Sequence, residues 1–348
     1  MIMPGNSMSE YYAREWVEPL DRLIEDASLT PDDLDLADFY PSALDAGIRY
    51  GKHFSLPLLL ETSILAYNKK IFAEFGLRPP MTMEELETAA RTIHQGTEGR
   101  IAGITMRGQG SAATSQWADF LHSFGGSWLN QEGIAAIDSS HSIAALRLYG
   151  KLLREYGPRD ATRYGWYESV NLFARGGAGM IYDGNVFRAQ YENGPQGLPG
   201  EQVGYAMLPA GPSGTVPHIS NWGLSIYSGS KRKEAAWLFI IWATSRDIAL
   251  AAQLQGIPSA RRSVWRNPSF TSRDPAPEWT EASMRSYEIA TYQWNPPVIG
   301  VEEARLVIGE AISAAILEKD TAAAAGRAAA ELNRIITNEY WEWSQREH

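Results

Sequence analysis

Between Leu56 and Tyr67 nearly every position is apolar, but Pro57 and Glu61 break the run, so buried extended chain is predicted there rather than one helix. Glu61 is an acid in awkward, apolar company there. Met1 to Met3 reads as the end of a buried strand that turns at Pro4 and Gly5. Thr30-Pro31-Asp32-Asp33 supplies a hydroxyl cap, proline at the first position and acids at the positive dipole end, which predicts a short helix. Thr82-Met83-Glu84-Glu85 is a capping box opening a helix that runs to about His94 before Gly96 stops it. Strands are predicted over residues 101–106, 178–182, 203–208 and 219–227, and helices over 116–124, 141–156 and 233–244, with Gly and Pro between them. Ala304, Val307, Ile308, Ala311, Ile312, Ala315 and Ile316 recur at helical spacing and predict a helix packed on a core. An alanine-rich helix follows from Thr321, and the rings of Tyr340, Trp341 and Trp343 are expected to dock its end. Alternating strands and helices make the fold class α/β.

A chain of 348 residues is long enough for two lobes, each with a core. Lys and Arg number 31 against 41 Asp and Glu, and the resulting charge of −10 repels phosphate backbones, so no nucleic-acid partner is expected. The absence of cysteine excludes disulfides, thiolate metal sites and a cysteine nucleophile, and it suits an exported protein. Residues 1–7 have neither a basic segment nor an apolar one, so no secretory signal is read in the chain as it stands. No window approaches the roughly 18 to 20 apolar residues of a membrane span.

Catalytic patterns are weak. The six histidines form no HxxxH pair and the acids no metal cluster, so no metal or cofactor is expected. Gly223-Leu224-Ser225-Ile226-Tyr227 lacks the closing glycine of a nucleophile elbow. Gly108-Gln109-Gly110-Ser111-Ala112-Ala113 fits the loose dinucleotide pattern GxGxxA, but a helix and Gly125-Gly126 occupy the interval where its acidic partner belongs. Paired carboxylates drawn from distant segments keep a carbohydrate-active enzyme, such as a glycoside hydrolase, as the alternative reading. The stronger constellation sets aromatic residues beside small or polar ones: Asn221-Trp222-Gly223, Asp183-Gly184-Asn185 and Ser115-Gln116-Trp117. Trp faces cover the C–H surfaces of sugars and sugar alcohols, while amides, carboxylates and Arg read their hydroxyls.

Leu56-Pro57-Leu58, Leu65 to Phe72, Gly76-Leu77, Pro79-Pro80 and the Thr82 capping box follow a pattern, LP…YNKxLF…GL.PP.TWEEL, with Met83 in place of its tryptophan. Phe124-Gly125-Gly126, Asp183-Gly184, Trp222-Gly223 and residues 256–261 continue it in order. In these blocks the chain resembles the solute-binding proteins of ABC sugar importers, the family that includes maltose-binding proteins, and within it the sugar and sugar-alcohol binders. The resemblance runs to about Ile336 and implies a two-lobe type II periplasmic-binding-protein fold, α/β in both lobes. It implies a monomer outside the cytoplasmic membrane that closes about a hinge on a carbohydrate or polyol and delivers it to ABC permease subunits without catalysis. Residues 1–62 and 228–290 would form the first lobe, and 63–227 and 291–348 the second, with crossings near Ser63 and Leu224. By the same resemblance Glu61, Thr114, Ser115, Trp117, Asp183, Asn185, Asn221, Trp222, Gly223, Arg261 and Trp294 would bind the ligand. Members of that family carry an export signal and further strands and helices ahead of the segment matching residues 1–18, so an incomplete, poorly stable first lobe is expected.

Overall fold

The structure is a computed structural model and describes residues 2–4, 8–193 and 197–344. Its strands are β1 (Ile2–Pro4), β2 (Ile48–Arg49), β3 (Lys52–His53), β4 (Leu56–Asn68), β5 (Met180–Gly184), β6 (Val203–Ala206) and β7 (Ile219–Leu224). The 13-residue β4 organises the molecule. Its first half pairs antiparallel with β7, Leu56 opposite Leu224 through Thr62 opposite Ile219, and β1 pairs with β7 on the far side. From Ser63 onward β4 pairs instead with β5 and β6. The register slips between Pro57 and Leu59, where proline has no N–H to give the ladder.

Alternate side chains of β4 enter different cores, as the period of two requires. Leu65 and Tyr67 join a core built from helices Met83–Gly96, Gly110–Ser123, Ser140–Tyr156, Val301–Ile316 and Thr321–Ser344. Leu60, Ile64 and Ala66 join a second, with Phe173, Ile181, Trp265, Trp279 and Tyr287. A third surrounds helix Lys233–Ala243, where Leu20, Leu56, Leu224, Ile226 and Trp237 meet. Burial on both faces explains why β4 reads as a continuous apolar run.

Residues 101–106 do not form the expected strand. They make isolated parallel bridges, Ala102 to Ala178 and Thr105 to Ile181, because the Gly103 and Ile104 amides donate to the Tyr156 carbonyl instead of a ladder. The helix expected from residue 116 starts six residues earlier, at Gly110. Thr30 is not a cap: its hydroxyl donates to the Leu23 carbonyl, and only a 3-10 turn, Asp32–Leu34, follows Pro31. Thr82 caps the helix as expected, its hydroxyl accepting from the Glu85 amide at 3.2 Å, but the reciprocal half of the box is displaced by one residue: the Glu85 carboxylate accepts from the Met81 amide at 2.7 Å. Side chains of residues 340–343 lie outside the described residues.

Helices Ser140–Tyr156 and Val301–Ile316 touch through Gly150, where a Cβ would lie 2.5 Å from the Ala315 carbonyl carbon. Gly150→Ala gains about 1 kcal/mol of helix propensity, yet the clash is with backbone that cannot swing aside. A net destabilisation of about 1–3 kcal/mol is expected, read as a lower denaturation midpoint; an unchanged midpoint would show that the helices separate freely.

Candidate functional site

A cavity of about 620 Å³ opens where β4 exchanges partners, between Thr62 and Ser63. Glu61 and Ser63 project into it from β4, and Ser220 and Trp222 from β7. The Trp222 indole N–H donates to Glu61 Oε2 at 3.4 Å. Trp166, stacked on Phe187 with ring centres 5.3 Å apart and planes 3° from parallel, forms an apolar wall. Trp294 forms another, with the His218 ring nearly parallel to it at 5.7 Å and the Arg305 guanidinium at 5.6 Å from its centre.

One close ion pair borders the cavity. Arg107 makes a two-pronged bridge to Asp183, Nε to Oδ2 at 3.1 Å with Nη2 on Oδ1, and the Asp183 carboxylate is fully buried. Arg107 is framed by its backbone: its amide donates to Gln116 Oε1 at 2.8 Å, and its carbonyl accepts from the Tyr149 hydroxyl at 2.6 Å. Burial alone would lower the Arg107 pKa, but the Asp183 charge and hydrogen bonds outweigh it and raise the value. Glu61 touches the open cavity yet is enclosed by protein on its other sides; this desolvation raises its pKa, Arg107 opposing and Asp183 reinforcing the shift. Arg305 is lowered by burial, with Arg107 contributing, and it donates to the Ser111 carbonyl at 2.9 and 3.2 Å.

Of the residues singled out in the sequence, Glu61, Ser115, Trp222 and Trp294 line this cavity. Asp183 meets it through Arg107. The others lie elsewhere. With the helix beginning at Gly110, Trp117 falls two turns inside it and packs in the core, edge-on to Trp128 at 5.5 Å. Thr114 is buried and donates to the Arg305 carbonyl at 3.2 Å. Asn185 is a buried clasp: its carbonyl oxygen accepts from the Thr62 amide, and its amide donates to Ser283 and Tyr287. Asn221 points to the opposite face of β7 from Trp222, donating to the Ala43 carbonyl at 3.0 Å. Gly223 sits against Ser55, whose hydroxyl would be 2.9 Å from a Cβ there. Arg261 is buried in a structural knot with Asp38 and the carbonyls of Leu34 and Thr244.

Arg107, Trp166, Phe187, His218 and Arg305 line the cavity without having been singled out. For Arg305 a signal existed: Val301, Arg305, Ile308 and Ile312 share one helical stripe, and a cation there is out of pattern.

The chain matches the family described as bacterial extracellular solute-binding protein over residues 1–249. It is 26% identical over 325 residues to the mannitol-binding protein of Pseudomonas aeruginosa, an alignment covering 90% of this chain and 73% of that one. It is also 26% identical over 262 residues to the erythritol/L-threitol-binding protein of Mycolicibacterium smegmatis, covering 68% of this chain and 53% of the relative. An ABC transporter solute-binding protein from Agrobacterium radiobacter K84 in complex with ribitol superposes with a TM-score of 0.85 at 25% identity, over 96% of this chain and 84% of that one. Its counterpart from Agrobacterium vitis S4, with bound D-mannitol, gives 0.81 at 26% identity, over 97% and 84%. The fold is therefore the two-lobe type II periplasmic-binding-protein fold. With most of its length matched in sequence and architecture alike, the chain belongs to the bacterial extracellular solute-binding protein family.

Proposed function

We propose that this protein is the substrate-binding component of an ABC importer, capturing a sugar alcohol or sugar by hinge closure and passing it unchanged to permease subunits. The observation that carries the reading is the composition of the cavity: three indole faces, Trp166, Trp222 and Trp294, around charges that cancel. Glu61 and Asp183 balance Arg107 and Arg305, so a neutral guest is favoured, its C–H faces on the rings and its hydroxyls on the polar groups. The relatives named for mannitol and for erythritol/L-threitol, and the neighbours holding ribitol and mannitol, support the alditol end of this range. Among the described residues Glu61 is the one carboxylate lining the cavity, Asp183 being engaged by Arg107, which disfavours the two-carboxylate mechanism of a glycoside hydrolase. The same reading makes the protein a monomer outside the cytoplasmic membrane. Its lobes would be residues 1–62 with 228–290, and 63–227 with 291–348. Helix Pro277–Ile289 then straddles the seam, since it packs on β4 and β6.

Titration calorimetry and thermal melts with D-mannitol, ribitol, erythritol and maltose test this. A binding alditol at a hundred times its Kd is expected to stabilise the fold by about 2.7 kcal/mol and to be recovered intact. Indifference to every compound, or turnover of one, would overturn the proposal.

A further inference from the structure

Behind the cavity wall lies a polar cluster that the packing of indole faces does not call for. Asp119, inside helix Gly110–Ser123 and fully buried, faces His218 Nδ1, with its two carboxylate oxygens at 2.9 and 3.0 Å. The Tyr182 hydroxyl donates to the same carboxylate from β5. An ionised carboxylate only accepts, so the proton of the His218 contact resides on Nδ1. In a neutral imidazole the second nitrogen is then a bare acceptor. Nε2 makes no hydrogen bond to the described residues and is not sealed away from open space, while the ring lines the cavity and lies flat beside Trp294.

Acceptors held in one fixed direction are few in the remainder of the cavity. Arg107, Arg305 and the Trp222 indole only donate, Glu61 shares one of its oxygens with Trp222, and the hydroxyls of Ser63, Ser115 and Ser220 turn to either role. A polyol presents hydroxyl hydrogens as well as lone pairs, and each hydrogen it buries needs a partner. Resting on the polyol reading above, we infer that His218 is a specificity-determining residue: its Nε2 accepts a ligand hydroxyl, and Asp119 and Tyr182 are positioning residues that fix its tautomer and tilt. A guest lacking the hydroxyl opposite Nε2 leaves that nitrogen buried and unpaired, and is rejected.

The test begins on the ligand-free protein. Long-range 1H–15N spectra of histidine-labelled chain, recorded at mildly alkaline pH and with His218 assigned by its loss in His218→Gln, are expected to show Nδ1 protonated and Nε2 bare. A protonated Nε2, alone or with Nδ1, would overturn the inference. Asp119→Asn can turn its amide N–H toward Nδ1 and drive the proton to Nε2; calorimetry should then show affinity for the tightest-binding alditol of the panel falling about tenfold or more. A reversed tautomer with undiminished affinity would overturn it equally. Should Asp119→Asn not fold, His218→Phe keeps an aromatic ring beside Trp294 and removes the acceptor, and the same loss is required of it. A wild-type chain that binds no polyol yet shows the bare Nε2 would sink the polyol reading while leaving the fixed acceptor in place, so the two failures are distinguishable.

Discussion

Replacing Arg107 with methionine is expected to cost about 3–5 kcal/mol of folding stability, the usual consequence of leaving one member of a buried ion pair without its partner. Asp183 has a fully buried carboxylate, and apart from Arg107 its described contact is the Gly184 amide at 2.7 Å. One neutral donor cannot hold a carboxylate charge there, so the variant must take up a proton or unfold locally. The double variant Arg107→Met with Asp183→Asn removes both charges and is expected to recover most of the loss, since the pair is coupled. Chemical denaturation of the three chains decides the matter. A single variant within about 1 kcal/mol of wild type, or a double variant no better than the single, would mean that water already reaches Asp183.

Glu61→Gln is expected to move stability and binding in opposite directions. Enclosure raises the Glu61 pKa above its unfolded value, so between those two values the native chain holds a proton that the unfolded chain has released. Stability contributed by this group is therefore complete below the unfolded pKa and is lost as pH rises through the folded one. Glutamine has no such slope: its melting temperature should exceed that of wild type at neutral pH, and the difference should shrink on acidification toward the ordinary glutamate range. Binding should suffer, because a hydrogen bond to a charged acceptor contributes about 1.5–3 kcal/mol, roughly ten- to a hundredfold in Kd. Melting curves across pH, paired with calorimetry on an alditol, give both readings. A variant that loses stability along with affinity would make Glu61 a structural residue.

Where the pattern along the chain constrained the backbone, it also located the elements. The apolar run of β4, the Thr82 N-cap and the helical period through residues 301–316 each reflect local chemistry, and each is present. Residues 101–106 depart from the expected strand because the Gly103 and Ile104 amides are diverted to Tyr156, a tertiary event that no local window contains. The same division runs through the cavity. Glu61 stands out because a carboxylate is anomalous within an apolar strand, and Trp222 because it stands between an amide and a glycine. Which arginine lines the cavity depended instead on partners: Arg107 finds Asp183 at a separation of 76 residues, and Arg261 finds Asp38 at 223. Metal-ligand spacing says nothing of His218, whose partner Asp119 lies 99 residues away in the sequence. Trp117 was misplaced by a helix boundary off by six residues, which turns a side chain from one face to another.

On the hinge-closure reading proposed above, the change of sheets by β4 between Thr62 and Ser63 sets Glu61 almost on the fulcrum of the rotation. Atoms at a fulcrum travel least, so a guest that meets Glu61 and Trp222 alone is gripped alike in the open and shut arrangements and drives neither. The lever arm is the guest's own length. On the reading proposed above, a polyol long enough to reach from Glu61 to the Trp166 and Phe187 stack would convert its binding energy into motion, whereas a shorter one would occupy the same seat and leave the jaws idle.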